Sequence, residues 1–541
     1  MLLPFEKRFL ALTLAIAAVL VLAVVALLLP GWNGLIGAGL AVALVLALLG
    51  LYDLFQTRHA VLRNYPIIGR LRFLLEDIRP EIRQYFFEDD KSGMPFARDK
   101  RAIVYQRAKQ QLDKRPFGTH YNVYGENFEW LHHSIAPRPA AAEPFRVRIG
   151  GPRCTKPYDA SVFNISAMSY GALSANAIRA LNKGARAGGF AHDTGEGGVS
   201  PYHREGGGDL IWELGSGYFG CRADDGGFDA EKFAATASDP QIKMIEVKLS
   251  QGAKPGHGGV LPRAKITPEI AAIRGVPMDR DCVSPACHAA FSSPAGLLEF
   301  LARLRGLSGG KPVGFKLCIG HPWEFLGVVK AMLETGQKPD FIVVDGKEGG
   351  TGAAPLEFMD HIGMPMRDGL SFVHSALVGA SLRDEIKIGC AGKIISGFDM
   401  ARVMALGADW CNAARGFMFA LGCIQAQHCH TGACPTGVAT QDPMRQRALV
   451  VPDKAERVAR FHEDTVKSLA EIVAAVGLDH PRQLLPQHIL RRGADGRIHS
   501  LREIYPLLQP GELLSGIRDA AFAEAWALAS ATSFAPAPGN V

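Results

Sequence analysis

The chain has 541 residues, with 59 Lys plus Arg against 53 Asp plus Glu and a formal charge of +6. So small a charge, spread along the chain, argues against a dedicated nucleic-acid binder, and 48% hydrophobic with 21% charged residues excludes disorder. Ten cysteines are too sparse for a disulfide scaffold, whereas 60 glycines, well above the usual ~7%, point to many tight loops or close backbone approach to a ligand.

The N-terminus carries two uncharged apolar runs, Phe9 to Leu29 and Leu35 to Tyr52, joined by Pro30-Gly-Trp-Asn-Gly34. A membrane span needs about 20 apolar residues, with a lower bound near 17. Both runs qualify, so residues 1–52 are expected to form a transmembrane helical hairpin with Trp32 at the interface. A signal peptide has a shorter apolar region and a small-residue cleavage site; here a second run follows instead. Lys7 and Arg8 precede the hairpin, Arg58, Arg63, Arg70 and Arg72 follow it, and the turn has no cation. The positive-inside rule therefore puts both termini and the body on the cytoplasmic side of the membrane.

Residues 53–150 are charged and aromatic, with a helical patch from Arg101 to Leu112, and read as an adaptor. From about residue 160 short β-branched runs end in Gly-rich or polar loops. Eight such runs are Ser161–Ser166, Phe190–Asp193, Met244–Leu249, Asp281–Ser284, Pro312–Cys318, Phe341–Asp345, Ile386–Cys390 and Asp409–Ala414. Helical stretches lie between them, among them Ala295–Leu304, Trp323–Thr335, Phe372–Leu382 and Phe398–Leu406. Eight strand–helix repeats predict an α/β fold, a (β/α)8 TIM barrel spanning 151–480. A doubly wound sheet is disfavoured because polar residues follow nearly every strand rather than one switch point. Ser200–Phe233 reads as a Gly-rich lid, Phe461–Val476 as a helix, and 481–541 as a frayed C-terminal tail.

Cys423-x5-Cys429-x4-Cys434-Pro435 follows the last strand. Three thiolates ending in Cys-Pro suit an iron–sulfur cluster; with His428 or His430 a Cys3His zinc site is the competing reading, and spacing alone does not choose between them. Glycines crowd the strand ends: Asp193-Thr-Gly-Glu-Gly-Gly198, Gly252-Ala-Lys-Pro-Gly-His-Gly-Gly259, Gly349-Gly-Thr-Gly-Ala-Ala-Pro355, Gly389-Cys-Ala-Gly-Lys393 and Ala414-Arg-Gly416. They suit backbone approach to an anion or flat ring. Barrel phosphate sites are built after strands seven and eight, where Gly392, Lys393, Arg415 and Gly416 fall. Gly215-Ser-Gly-Tyr-Phe-Gly220 lacks a strand–turn–helix context, so no nicotinamide-binding domain is expected. Lys248 and Lys316 end strands three and five; a lysine inside a barrel is costly unless it meets an anion, either a ligand or a structural partner such as Glu196 or Glu246.

These residues carry a resemblance. Ser161 to Gln441 resembles the FMN-binding synthase domain of glutamate synthases, through Met168-Ser-Tyr-Gly171, Thr194-Gly-Glu-Gly-Gly198, Lys248 to Gly259, Gly349 to Pro355 and Cys423 to Gln441. The whole body resembles the short stand-alone branch of that family. The resemblance implies FMN at the barrel mouth, a [3Fe-4S] cluster on Cys423, Cys429 and Cys434, and reductive amination of 2-oxoglutarate to glutamate. By position, Met168, Ser169 and Thr194 would flank the flavin. Gly349, Gly350, Thr351 and Gly352 would border flavin and substrate, and Gly392, Lys393, Arg415 and Gly416 would hold the phosphate. Lys316, Lys248 and Glu196 are the candidate catalytic residues. The chain departs from the long enzymes in having no N-terminal glutaminase domain and in placing His257 where they have glutamate. Ammonia is therefore expected free or from a separate glutaminase, and electrons from a ferredoxin or an NAD(P)H-oxidising subunit. Two other readings remain: a membrane-tethered flavin and iron–sulfur electron-transfer subunit, or a synthase of another amino acid.

Overall fold

The computed structural model describes residues 6–538 apart from Pro30 and Trp32. The interfacial role expected of Trp32 lies outside the described residues. The chain folds as two compact units, one running to Arg98 and the other from Asp99 onward. The adaptor expected over 53–150 is thus divided between them.

In the first unit, helices Leu10–Leu28 and Asn33–Phe55 pack against each other. Glycine sets how closely: a Cβ at Gly50 would come within 2.7 Å of Leu12 Cδ1, and one at Gly39 within 3.4 Å of Leu22. Those two contacts run in opposite directions along the helices, as a hairpin requires. By length and composition both helices are able to cross a membrane. In the last turn of the second, Asp53 is fully buried and held by Arg70 at 2.6 Å and by the Ile67 backbone N–H at 3.1 Å. Helix Gly69–Ile82 follows, with Leu71, Leu74, Leu75 and Ile78 exposed on it.

The second unit is a closed barrel of eight parallel strands. They are β1 (Phe163–Ile165), β2 (His192–Asp193), β3 (Leu210–Leu214), β4 (Ile242–Lys248), β5 (Val313–Leu317), β6 (Phe341–Asp345), β7 (Lys387–Ala391) and β8 (Trp410–Ala413). The barrel and the strand count match the expectation; one strand assignment does not. Asp281–Ser284 contributes only Cys282–Val283, which pairs antiparallel with Val260–Leu261 outside the barrel. The third barrel strand is Leu210–Leu214, inside the segment read as a lid. Its five residues are buried on both faces, so they show no alternation, and Gly206–Gly208 and Gly215 bracket them like a loop. Lys248 therefore ends the fourth strand, whereas Lys316 lies on the fifth as expected.

Buried helices surround the barrel. Helix Val451–Ala475 lies on Ala175–Gly188, and Gly184 permits it: a Cβ there would stand 2.7 Å from Ala455 O. A hairpin of Arg146–Ile149 and Tyr158–Ser161 plugs the N-terminal end, where Ile149, Tyr158 and Ala160 pack with Ile211, Met244, Phe341 and Trp410. The C-terminal region is built rather than frayed. Ile489–Arg492 and Ile498–Ser500 form a sheet with Glu129–Leu131, and Leu501, Leu508, Leu513 and Leu528 are buried. Glu129 locks this sheet to the barrel helices through Arg367 and Arg402, and pairs across the sheet with Arg491, all at 2.7–2.8 Å.

Candidate active site at the barrel mouth

The C-terminal ends of the strands carry a dense set of buried charges. Glu213 on β3 and Glu246 on β4 are cross-strand neighbours, and Lys316 lies beside Lys248 on the adjacent pair. Alternation along the strands turns these side chains into the barrel. Lys316 contacts Glu213 directly and reaches Glu246 Oε1 at 3.3 Å; all three are at most 4% exposed. Lys248 pairs with Glu196 at 2.9 Å and donates to Gln251. Burial alone would raise the Glu196 carboxyl, but Lys248, with Lys254 and Arg274, holds it below its ordinary value. Asp345, at the end of β6, accepts from Gly252 N–H at 2.9 Å and is raised by burial, against the pull of Lys316. Each lysine expected to meet an anion thus meets a protein carboxylate. The resemblance pointed to neither Glu213 nor Asp345; an acid inside an apolar strand such as Leu-Ile-Trp-Glu-Leu was the available signal.

The Gly-rich loops close over this centre. Gly195 (φ +63°) packs so tightly on the first loop that a Cβ would stand 2.8 Å from Ser169 N and 3.2 Å from Met168 N. The Thr194 hydroxyl donates to Gly195 O and accepts from Glu213 N–H. Gly350 faces open space, whereas a Cβ at Gly352 would lie 3.1 Å from the Cys429 carbonyl carbon. Thr351 separates these two glycines, and Gly349 rests 3.4 Å from Ala253 N on the same measure. After β7, Gly392 sits against Met366, and Lys393 takes a positive φ of 51° with its ammonium pushed down by burial. After β8, Gly416 lies against Phe461 and Ile395. Arg415 spans two loops, donating to Gly350 O at 3.1 Å and approaching Cys429 Sγ at 3.9 Å.

The cysteine segment is tied to the same mouth. Gln441 donates to Gly171 O and Leu173 O, joining its end to the loop after β1. Tyr105 donates to Cys423 O at 2.6 Å, and buried Lys265 donates to Cys429 O at 2.7 Å. Cys423 and Cys434 are buried and Cys429 is partly open. Burial raises the Cys423 thiol. At Cys434 burial acts the same way, but hydrogen bonds from Thr436 and nearby backbone N–H groups leave the thiol below its ordinary value. Among the described residues, the one group of three Cys, His, Asp or Glu ligand atoms lying within 4.8 Å of one another is Asp193, Glu213 and Glu246. The three sulfurs are more widely set than that.

Residues 154–479, more than half the chain, match the family model described as "Conserved region in glutamate synthase". The chain belongs to the glutamate synthase family. It is 38% identical over 483 residues to the glutamate synthase large subunit-like protein YerD of Bacillus subtilis (strain 168), covering 82% of this chain and 92% of that protein. It is 35% identical over 315 residues to the archaeal-type glutamate synthase (NADPH) of Thermotoga neapolitana and 36% identical over 320 residues to the archaeal glutamate synthase (NADPH) of Methanocaldococcus jannaschii. Against each of these two, the match spans 58% of this chain and 59% of the relative's length.

Proposed function

We propose that this protein is an FMN and iron–sulfur oxidoreductase that reductively aminates 2-oxoglutarate to glutamate, with ammonia supplied free or by a separate glutaminase. The observation that carries this reading is the junction at Arg415. One side chain joins the Gly349–Gly352 loop to Cys429 above a mouth containing buried Lys316 and Lys248. An electron carrier held by the cysteines would lie against a ring held by the glycines.

The residues fit both groups. Sulfurs too widely spaced for one ion suit a multi-iron cluster better than zinc. Lys265 and Arg415 supply positive charge beside Cys429, where thiolates need it. Gly195 and the open space at Gly350 leave backbone surface for a flat ring, flanked by Met168, Ser169 and Thr194, and Gly392, Lys393, Arg415 and Gly416 lie where barrels hold phosphate. When bound, the flavin supplies hydride chemistry that no side chain can. Lys316 and Lys248 bind and orient the oxo acid, and Lys316 holds a proton on Nζ for the reacting centre. Electrons come from a separate donor, a ferredoxin or an NAD(P)H-oxidising subunit; NADPH in the names of two relatives favours the second. The apolar hairpin, with cations on both flanks and none in its turn, supports a body tethered to the cytoplasmic face of a membrane.

Isotope tracing tests the reaction. Photoreduced protein given 2-oxoglutarate and 15N-ammonium should form 15N-glutamate; its absence, with flavin and iron bound, overturns the proposal.

A further inference from the structure

Two buried carboxyl oxygens at the barrel mouth make no hydrogen bond. Asp193 ends β2 and Glu246 lies on β4, each 1% exposed, and Asp193 Oδ2 and Glu246 Oε1 have no hydrogen-bond partner. Such groups are expensive when left unsatisfied. The other Asp193 oxygen is used, accepting from Gly195 N–H at 2.9 Å.

The charges around the pair do not balance. With Glu213 on β3, these carboxyls lie within 4.8 Å of one another. A single ammonium, Lys316 on β5, stands among them, touching Glu213 and lying 3.3 Å from Glu246 Oε1. Lys248 on β4 is directed to Glu196, and Asp345 on β6 adds a further carboxyl. His192, adjoining Asp193, is fully buried beside His203 and held neutral by that burial, so it brings no compensating charge. Like charges this close do not all ionise.

We propose that Asp193 and Glu246 share one proton at neutral pH, and that this pair is the proton reservoir behind Lys316. One proton between them gives both orphaned oxygens a partner and leaves the Lys316 ammonium matched by Glu213. Burial raises both carboxyls, Glu246 further because Asp193 faces it.

The reservoir's use rests on the amination proposed above. Ammonia and the oxo acid condense to an imine with loss of water. When bound, a reduced flavin would supply the hydride that the imine carbon needs, and the imine nitrogen needs one proton. A Lys316 N–H bond breaks as that N–H forms, and Lys316 recovers the proton from the pair's O–H, which solvent then refills. The stoichiometry is one proton per glutamate, the number the pair holds. Asp193 and Glu246 act through Lys316 and are positioning residues.

Infrared spectroscopy of the full-length protein reads the shared proton directly. The protonated-carboxyl band should be present at neutral pH, shift in D2O, and vanish in both Asp193→Asn and Glu246→Gln, near-isosteric changes whose folding is checked by flavin absorbance and thermal melts. No band in the native protein, or an undiminished band in both variants, overturns the shared proton. In the pH profile of glutamate formation, the alkaline limb should move in Asp193→Asn; an unmoved limb overturns the reservoir role. The infrared band needs no substrate. A protein that shows the band and makes no glutamate refutes the amination and leaves the shared proton standing; one that makes glutamate without the band does the reverse.

Discussion

Lys316 is buried to 4% exposure with Glu213 and Glu246 as its near neighbours. Removing one partner of such a group leaves the other charge uncompensated, at a cost of about 3–5 kcal/mol. Lys316→Met should therefore lower the unfolding free energy by roughly that much in denaturant titrations. If Lys316 also delivers the proton, kcat should fall by about 10²–10⁴; a stable variant with native kcat would remove Lys316 from the site. Cys429 makes a separable prediction, because its thiol lies at the Arg415 junction and makes no contact with the Lys316–Glu213–Glu246 cluster. Cys429→Ser should lose the iron and keep the flavin; full iron content in that variant would refute the ligand set.

Among the elements, the loops set the site and the strands only deliver it. Gly195 shows why: its positive φ and its approach to Ser169 exclude any Cβ. Gly195→Ala should cost about 1–3 kcal/mol in strain and displace the loop after β1, so flavin retention on gel filtration should drop sharply, while a variant that retains flavin as the native protein does would show that the loop does not line the ring. Much of this was legible in the chain. The apolar hairpin, seven of the eight strands, the glycine loops and the cysteine spacing all carry local signatures. Strand β3 did not, because a strand buried on both faces and bracketed by glycines has neither alternation nor length to mark it. Glu196 and Glu246 were legible as partners for the two lysines, and both are met, by Lys248 and Lys316 respectively; the contact of Lys316 with Glu213 is a matter of barrel register, which strand spacing alone does not encode. Nor could the C-terminal sheet be foreseen, since its first strand, Glu129–Leu131, lies more than 350 residues earlier in the chain.

At the scale of the whole molecule, buried histidines dominate the response to mild acid. Burial lowers His203 and His374 to about 4 and His462 to about 3. These are bases depressed in the folded state, so below their unfolded value near 6.5 the unfolded chain binds more protons than the native one. Stability should fall as pH drops from about 6.5 toward 4. Carboxyls raised by burial, such as Glu246 and Asp345, oppose this by taking up protons in the fold, while His192 and His288, also lowered by burial, add to the histidine effect. Thermal melts should show the midpoint falling steadily over that window; a flat profile would mean the histidines titrate in the fold. The proposed function turns on one event, in which a reduced flavin bound at the barrel mouth would pass hydride to an oxo-acid imine. Anaerobic stopped-flow absorbance tests it most directly. Photoreduced protein mixed with 2-oxoglutarate and ammonia should regain the oxidised flavin spectrum in a single turnover, and with either compound alone should not. Flavin that stays reduced in the full mixture would contradict the account.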